Sequence, residues 1–101
     1  MKVIYISGKI TDKNLELENK NREFAQEYAI QLWKKGYAVI CPHLNNNFKG
    51  QISWDNLIKG DLKLIETSDI VFMLPNWKES KGAKKEHTHA KKLNKEVIYG
   101  T

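Results

Sequence analysis

Cysteine and proline are scarce in this chain of 101 residues, which holds one cysteine and two prolines. Because Cys41 is the only cysteine, neither an internal disulfide nor a cysteine-based zinc site can form. No apolar run approaches the roughly 20 residues that a membrane-spanning helix needs, and the N-terminus lacks the long apolar stretch and cleavage site of a signal peptide. These absences predict a reducing, cytoplasmic setting and no membrane partner.

Charge is biased towards one sign, since 17 basic residues stand against 12 acidic ones and the formal net charge is +5. Such a charge suits an anionic ligand, from a single nucleotide to a nucleic acid, although a solvated lysine-rich surface is the commoner explanation. The chain has no nucleic-acid recognition motif, and its lysines are scattered along a helix face, which argues against a nucleic-acid partner. It also lacks a G-x-G-x-x-G or phosphate-loop lysine motif, so a dinucleotide or triphosphate site of those kinds is unsupported.

Strand and helix patterns alternate along the chain without a linker or repeat, so a single domain over residues 1–101 is expected. Buried strands are predicted at residues 2–7, 37–41, 69–74 and 96–99. Helices are predicted between them at residues 18–35, 53–67 and 80–94. Continuous apolar strands separated by helices are typical of a parallel sheet covered on both faces, and right-handed crossovers favour the strand order 2-1-3-4. The predicted fold is an α/β three-layer sandwich of the flavodoxin or Rossmann-like kind.

Two acids lie on helix stripes that should face the core. Asp61 falls within an apolar stripe of the second helix, which includes Trp54 and Leu64, and Glu86 falls on the buried side of the third. Each lies about 10 Å from the start of its helix at ~1.5 Å per residue, and both helices start at the edge where such sheets bind ligands. Pairing with nearby lysines is the alternative explanation, but a carboxylate on a core-facing stripe otherwise needs a cavity or a hydrogen-bond partner.

Other residues at this edge of the sheet are candidate ligand contacts. Ser80 and Gly82 begin the third helix, whose free N–H groups suit an anion, although simple capping is the commoner use of such a serine. Trp54 and Trp77 lie at the ligand-binding edge, where each could stack on a base; the alternative is that each simply covers the core. Gly8 is a lone glycine directly after the first strand.

The three histidines give weaker signals. His43 lies in a polar loop at residues 43–51, where it contacts a ligand or, more commonly for a loop histidine, is solvated. His87 and His89 are two residues apart and point to different sides of a helix, so a shared metal ion is not expected. We therefore predict no metal and no cofactor.

The runs IYISGKIT, KKGYAVICP, WDNLIKGDLKLIETSDIVFMLPNW and SKGAKKE resemble the nucleoside 2-deoxyribosyltransferase superfamily. Within it, the chain is most similar to small deoxyribosyltransferase-like domains that are common in phages and bacteria. The resemblance covers nearly the whole chain. Its most specific part is the ordered set Asp61, Asp69, Ser80, Gly82 and Glu86.

The resemblance implies a reaction and a role for four residues. Glu86 matches the nucleophile that attacks C1′ of the sugar and expels the base, which gives a covalent glycosyl-enzyme that water or a second base resolves with retention. Asp61 matches a carboxylate that protonates or orients the leaving base. Tyr5 matches a tyrosine that hydrogen-bonds near the nucleophile, with an ordinary core tyrosine as the alternative, and Asp69 is expected to be structural.

Position 80 bears on the substrate that the resemblance implies. In the nucleoside transferases the matching residue is an acid that binds the sugar 5′-hydroxyl, and in the related nucleotide N-glycosidases it is a serine that contacts the 5′-phosphate. Ser80, a helix N-terminus and the net charge of +5 together favour a nucleoside 5′-monophosphate and hydrolysis. The predicted substrate-binding residues are Ser7, Gly8, His43, Trp54, Trp77, Ser80 and Gly82.

A catalytically silent module that binds a nucleotide or nucleotide-like signal in the same pocket is the alternative function. The sequence ends at Thr101 without the fifth strand and C-terminal segment that, in the transferases, help to complete a neighbouring subunit's site. We therefore expect a homodimer but not a shared active site. The loop at residues 42–53 matches no part of the pattern, so the base specificity stays open.

Overall fold

A computed structural model describes residues 1–45 and 50–101. These residues form a four-stranded, all-parallel sheet with the strand order β2-β1-β3-β4. The strands are β1 (Val3–Ser7), β2 (Ala38–Ile40), β3 (Ile70–Met73) and β4 (Glu96–Tyr99). The predicted fold class and strand order are confirmed.

Helices connect these strands. They are α1 (Leu15–Lys34), α2 (Pro42–Asn45), α3 (Trp54–Thr67) and α4 (Lys81–Lys92), with a 3-10 turn at Trp77–Glu79 before α4. Asn14, Ser53 and Ser80 each cap a longer helix by accepting a hydrogen bond from the main-chain N–H three residues ahead. The Asn14 cap begins α1 three residues before the predicted start at residue 18. The short helix α2 lies in a segment that we predict as polar loop.

The sheet separates two layers of apolar packing because β1 points alternate side chains to opposite faces. Ile4 and Ile6 pack on one face against α1, through residues such as Ala25. Tyr5 packs on the other face against Ile65 of α3 and residues of α4. The helices α3 and α4 therefore share one face of the sheet, and α1 covers the other.

Trp54 and Leu64, which we predict in the apolar stripe of the second helix, are substantially exposed, and so are Trp33 and Leu93. The buried stripe of α3 runs through Ile58, Asp61 and Ile65, so Leu64 falls one position to its side. Trp33 falls beside the buried stripe of α1 in the same way.

Within the described residues, no helix is long and apolar enough to cross a membrane.

The start of the sheet is fixed by Asp69, whose Oδ2 accepts a hydrogen bond of 2.8 Å from the Val3 N–H. Asp69 thus ties the beginnings of β1 and β3, which agrees with the structural role expected of it. The homodimer and the cytoplasmic setting stay predictions.

Candidate active site

Glu86 lies buried in the second turn of α4, against the end of β1. Its Oε2 accepts a hydrogen bond of 2.8 Å from the Tyr5 hydroxyl, and its Oε1 accepts one of 2.6 Å from the Ser7 hydroxyl. Because residues two apart on a strand point to the same face, β1 presents both donors to one carboxyl group. Tyr5 and Glu86, predicted as catalytic residues, therefore form one hydrogen-bonded unit with Ser7, which we predict as a substrate-binding residue but whose buried hydroxyl donates to Glu86.

The protonation of this unit follows from its burial. Burial raises the pKa of the Glu86 carboxyl to about 7, against the effect of the Ser7 and Tyr5 hydrogen bonds, and the nearby charge of Asp61 adds to the rise. Burial, with the charge of Glu86, also holds the pKa of Tyr5 well above its ordinary value. The phenol thus stays protonated and donates, while Glu86 is divided between its two forms near neutral pH.

Asp61 is the second buried acid at this place, and it is 8% exposed against 6% for Glu86. It lies in the middle of α3, which packs against α4. Both carboxyl groups line one cavity of about 610 Å³, which also borders the end of β1 at Ile6 and Gly8 and the residues directly after β2, Pro42 and His43. The positions of Asp61 and Glu86 along their helices in the sequence predict that the two carboxyl groups lie close together in this way.

The N-terminus of α4 forms another part of the cavity wall, through Ser80, Lys81 and Gly82. Ser80 Oγ accepts a hydrogen bond of 3.1 Å from the Ala83 N–H, so it caps the helix and keeps its own hydroxyl proton to donate. The Lys81 ammonium lies 5.3 Å from the centre of the Trp54 ring. This part of the wall therefore combines the positive end of a helix and a lysine with an aromatic face, and the Glu79 carboxylate, paired with Lys9, lies beside them.

The loop after β1 packs closely against the next strand. A Cβ atom at Gly8 would lie 2.5 Å from Leu74 Cδ1, so only glycine fits there. Lys9, the next residue, is held through both of its main-chain polar groups: its N–H donates to Asn76 Oδ1 at 3.0 Å and its carbonyl accepts from His43 Nε2 at 3.1 Å. Residues that follow β2 and β3 thus fix the loop that borders the cavity.

His43 is not a solvated loop residue, because it is 1% exposed and lies in α2. Burial lowers its pKa to about 4, so the ring is neutral at physiological pH, with Nε2 carrying the proton that Lys9 accepts. Its Nδ1 lies 3.8 Å from Cys41 Sγ. His43 lines the cavity, but both ring nitrogens are engaged by the protein itself.

The two candidate tryptophans have different surroundings. Trp54 lines the cavity, whereas Trp77 is not among the described residues that do so. The Trp77 ring instead stacks on His87 with 4.3 Å between ring centres, and Tyr99 lies beside both. The structure therefore leaves Trp54 as the tryptophan placed to contact a ligand in this cavity.

Several cavity residues were not predicted from the sequence, among them two charged residues of α1. Glu18 and Arg22 of α1 reach the cavity from the face of the sheet opposite to α3 and α4. Their positions continue the buried stripe of Ala25, Ala29 and Leu32 towards the helix start at spacings of three and four, which was the available signal. Asn46 and Asn47 belong to the loop at residues 42–53, from which the base specificity could not be assigned, and they lie outside the described residues.

Comparisons with known proteins agree with this architecture. A family model described as a domain of unknown function (DUF4406) matches residues 2–99. The solved structure of a 2-desoxiribosyltransferase from Leishmania mexicana superposes on 98% of this chain with a TM-score of 0.72 and 16% sequence identity. This chain spans 63% of the length of that one. No curated protein sequence matches significantly. The resemblance in fold to the 2-deoxyribosyltransferase superfamily is confirmed.

Proposed function

We propose that this chain, which belongs to the DUF4406 family, cleaves the N-glycosidic bond of a (deoxy)nucleoside 5′-monophosphate. The observation that carries the proposal is the Glu86 carboxyl group, held on both oxygens by Tyr5 and Ser7 in a cavity that a second buried acid shares. Burying two carboxyl groups is costly, and glycosyl transfer is a reaction that uses such a pair. The similarity in fold to a 2-desoxiribosyltransferase supports the same class of chemistry.

In the proposed mechanism, ionised Glu86 attacks C1′ while the C1′–N bond breaks. The bonding electron pair goes to the base, and Asp61 protonates or orients that base as it leaves. Water then attacks C1′ of the glycosyl-Glu86 ester and releases the carboxylate, and the proton of the water goes to Asp61 if Asp61 has protonated the base, or otherwise to solvent. One water is consumed for each base and sugar phosphate formed, and two inversions retain the configuration. A second base in place of water makes the reaction a transfer.

Asp61→Asn is expected to slow base release by about 10²–10⁴-fold for adenine, which needs protonation to leave. The loss should be much smaller for 7-methylguanine, which is already cationic and leaves without a proton. The measurement is kcat/KM for the two monophosphates, by chromatography of the free base. Asp55→Asn, at an exposed position on the same helix, serves as the control. Equal slowing of both substrates would contradict a role at the leaving base.

The 5′-phosphate is assigned to the N-terminus of α4. Ser80 retains a hydroxyl proton, Lys81 supplies a positive charge, and the first N–H groups of the helix favour an anion. The net charge of +5 favours the approach of the same ligand. These features support a monophosphate in preference to a nucleoside.

We expect monophosphates to be preferred over the matching nucleosides by at least about tenfold in kcat/KM, which corresponds to ~1.4 kcal/mol. Ser80→Ala should reduce that preference while the nucleoside reaction changes little. Because Ser80 also caps α4, Ser53→Ala is the matched control: it removes the same kind of cap from α3. If the wild-type protein processes nucleosides as well as monophosphates, the phosphate assignment is wrong.

The experiment that tests the proposed activity is base release from a panel of ribo- and deoxynucleoside monophosphates. Release of a free base with formation of the sugar phosphate supports the enzyme. Tight binding of a nucleotide without any base release would instead support the silent binding module, since the same cavity serves both functions.

A further inference from the structure

Lysine side chains cover the outer face of α4. Successive residues of a helix turn by about 100°, which places five lysines and Thr88 within an arc of about 120°, opposite to the buried side chains of the same helix. The arc runs along α4 for roughly 16 Å. All five lysines are exposed, and we call them the lysine face: Lys81, Lys84, Lys85, Lys91 and Lys92.

Among the described residues, no acid is paired with the lysine face. Glu86 is the one acidic residue in the sequence of α4, and it is buried. Glu79, directly before the helix, pairs with Lys9, and Glu66 of α3 pairs with His89. A solvated helix face commonly carries both signs of charge at spacings of three and four, so this face is unusual in carrying one.

The charges also lie where a helix tolerates them poorly. Lys81 occupies the first turn, where the positive end of the helix disfavours a cation. Lys84 and Lys85 follow Lys81 at spacings of three and four, at which like charges repel one another. An anionic partner on the lysine face would relieve both effects.

Exposed aromatic rings flank the lysine face on both sides. On the side of α3, the Trp54 ring is 41% exposed, and the ammonium groups of Lys81 and Lys85 each lie 5.3 Å from its centre. On the side of β4, Tyr99 is 48% exposed, and its ring centre lies 6.3 Å from that of Trp77. Positive charge beside aromatic rings is the combination that binds single-stranded nucleic acid, whose phosphates and unpaired bases are both accessible.

We propose that the lysine face and its flanking rings bind a single strand of DNA or RNA without sequence preference. The sequence analysis argues against a nucleic-acid partner, but it does not reveal the rings on both sides of the lysines. A duplex would meet the charges and leave the rings without bases. A membrane suits the surface less, because the exposed arc consists of lysines and Thr88 rather than the apolar side chains that enter lipid.

The inference goes beyond the proposed function and does not depend on it. Lys81 and Trp54 line the cavity as well, whereas the other four lysines of the face are not among the described residues that do so. Lys84, Lys91 and Lys92 are therefore the positions at which the surface can be changed without changing the cavity.

The test measures binding of a fluorescein-labelled oligothymidylate of about 20 nucleotides, by anisotropy at several salt concentrations. Changing Lys84→Gln, Lys91→Gln and Lys92→Gln together should weaken binding by about tenfold or more. The slope of log K against log salt should become shallower by about 2, since each phosphate contact on a single strand contributes about 0.7. Glutamine is a good helix former, so α4 should stay intact, as circular dichroism would show.

The matched control changes Lys13→Gln, Lys34→Gln and Lys59→Gln together, which lowers the net charge by the same amount at exposed positions elsewhere. It should bind the strand like the wild type. Equal loss of affinity in the two triple variants would show that binding follows the net charge and would overturn the assignment to α4.

A duplex of the same length, and phosphatidylcholine vesicles that contain phosphatidylserine, complete the test. Binding of either as tightly as the strand would overturn the preference for a single strand, and absence of salt-dependent binding to the strand would overturn the proposal as a whole. Base release from free monophosphates is measured in parallel and should be the same in the wild type and the Lys84, Lys91 and Lys92 variant. Failure of the cleavage and failure of strand binding are thus separate results.

Discussion

Glu86→Gln should reduce base release by more than about a thousandfold, because an amide does not attack C1′ and no other group takes over the role of a nucleophile. The substitution keeps the size of the side chain. The amide oxygen accepts from one of the Tyr5 and Ser7 hydroxyls, and the amide N–H donates to the other. The fold should therefore be intact, as circular dichroism and a cooperative urea transition would show.

The control for this variant is Glu23→Gln, which makes the same chemical change at an exposed position of α1. It should release base at the wild-type rate. Wild-type turnover in Glu86→Gln would exclude Glu86 as the nucleophile, whatever the activity of the control.

The same carboxyl group should make the folded protein less stable as the pH rises. Burial raises the pKa of Glu86 in the folded chain from 4.5 to about 7, so the folded state binds the proton more tightly than the unfolded chain. The stabilising contribution is fully present below pH 4.5 and is lost as the pH rises through about 7. The difference between the two values corresponds to about 3 kcal/mol of unfolding free energy.

This contribution is measured as the difference between the wild type and Glu86→Gln in urea unfolding at several pH values. The unfolding free energy of the variant minus that of the wild type should increase by about 3 kcal/mol between pH 5 and pH 9. His43 acts in the opposite direction, since its lowered pKa removes stability as the pH falls from 6.5 towards 4. Both proteins contain His43, so its effect cancels in the difference. Two curves that stay parallel would show that Glu86 does not titrate near pH 7.

The fold was predictable because local signals agree with one another along the chain. Each predicted strand is a short apolar run, and Gly8, Pro42 and Pro75 follow three of them. Right-handed crossovers then leave few strand orders. The start of α1 was missed because the Asn14 cap precedes the apolar stripe on which the helix prediction rests.

The two acids of the site were predictable for a local reason, whereas the surroundings of two other residues were not. Asp61 and Glu86 interrupt apolar helix stripes, and that anomaly is visible in the sequence. The burial of His43 depends on the carbonyl of Lys9, which lies 34 residues earlier in the chain. The ring of Trp77 stacks between elements in a similar way, beside Tyr99 of the edge strand. Such partners are determined by the tertiary fold and leave no periodic signal.

The most direct test of the account is a search for the glycosyl-enzyme on Glu86. A 2′-deoxy-2′-fluoro nucleoside 5′-monophosphate is the suitable probe, because fluorine disfavours the oxocarbenium-like transition state and slows release of the sugar by water. We predict that the wild-type protein, denatured with acid during the reaction, gains the mass of the fluorinated sugar phosphate on the peptide that contains Glu86. Natural substrate cleaved by the wild type without any adduct from the probe, together with undiminished cleavage by Glu86→Gln, would contradict the account.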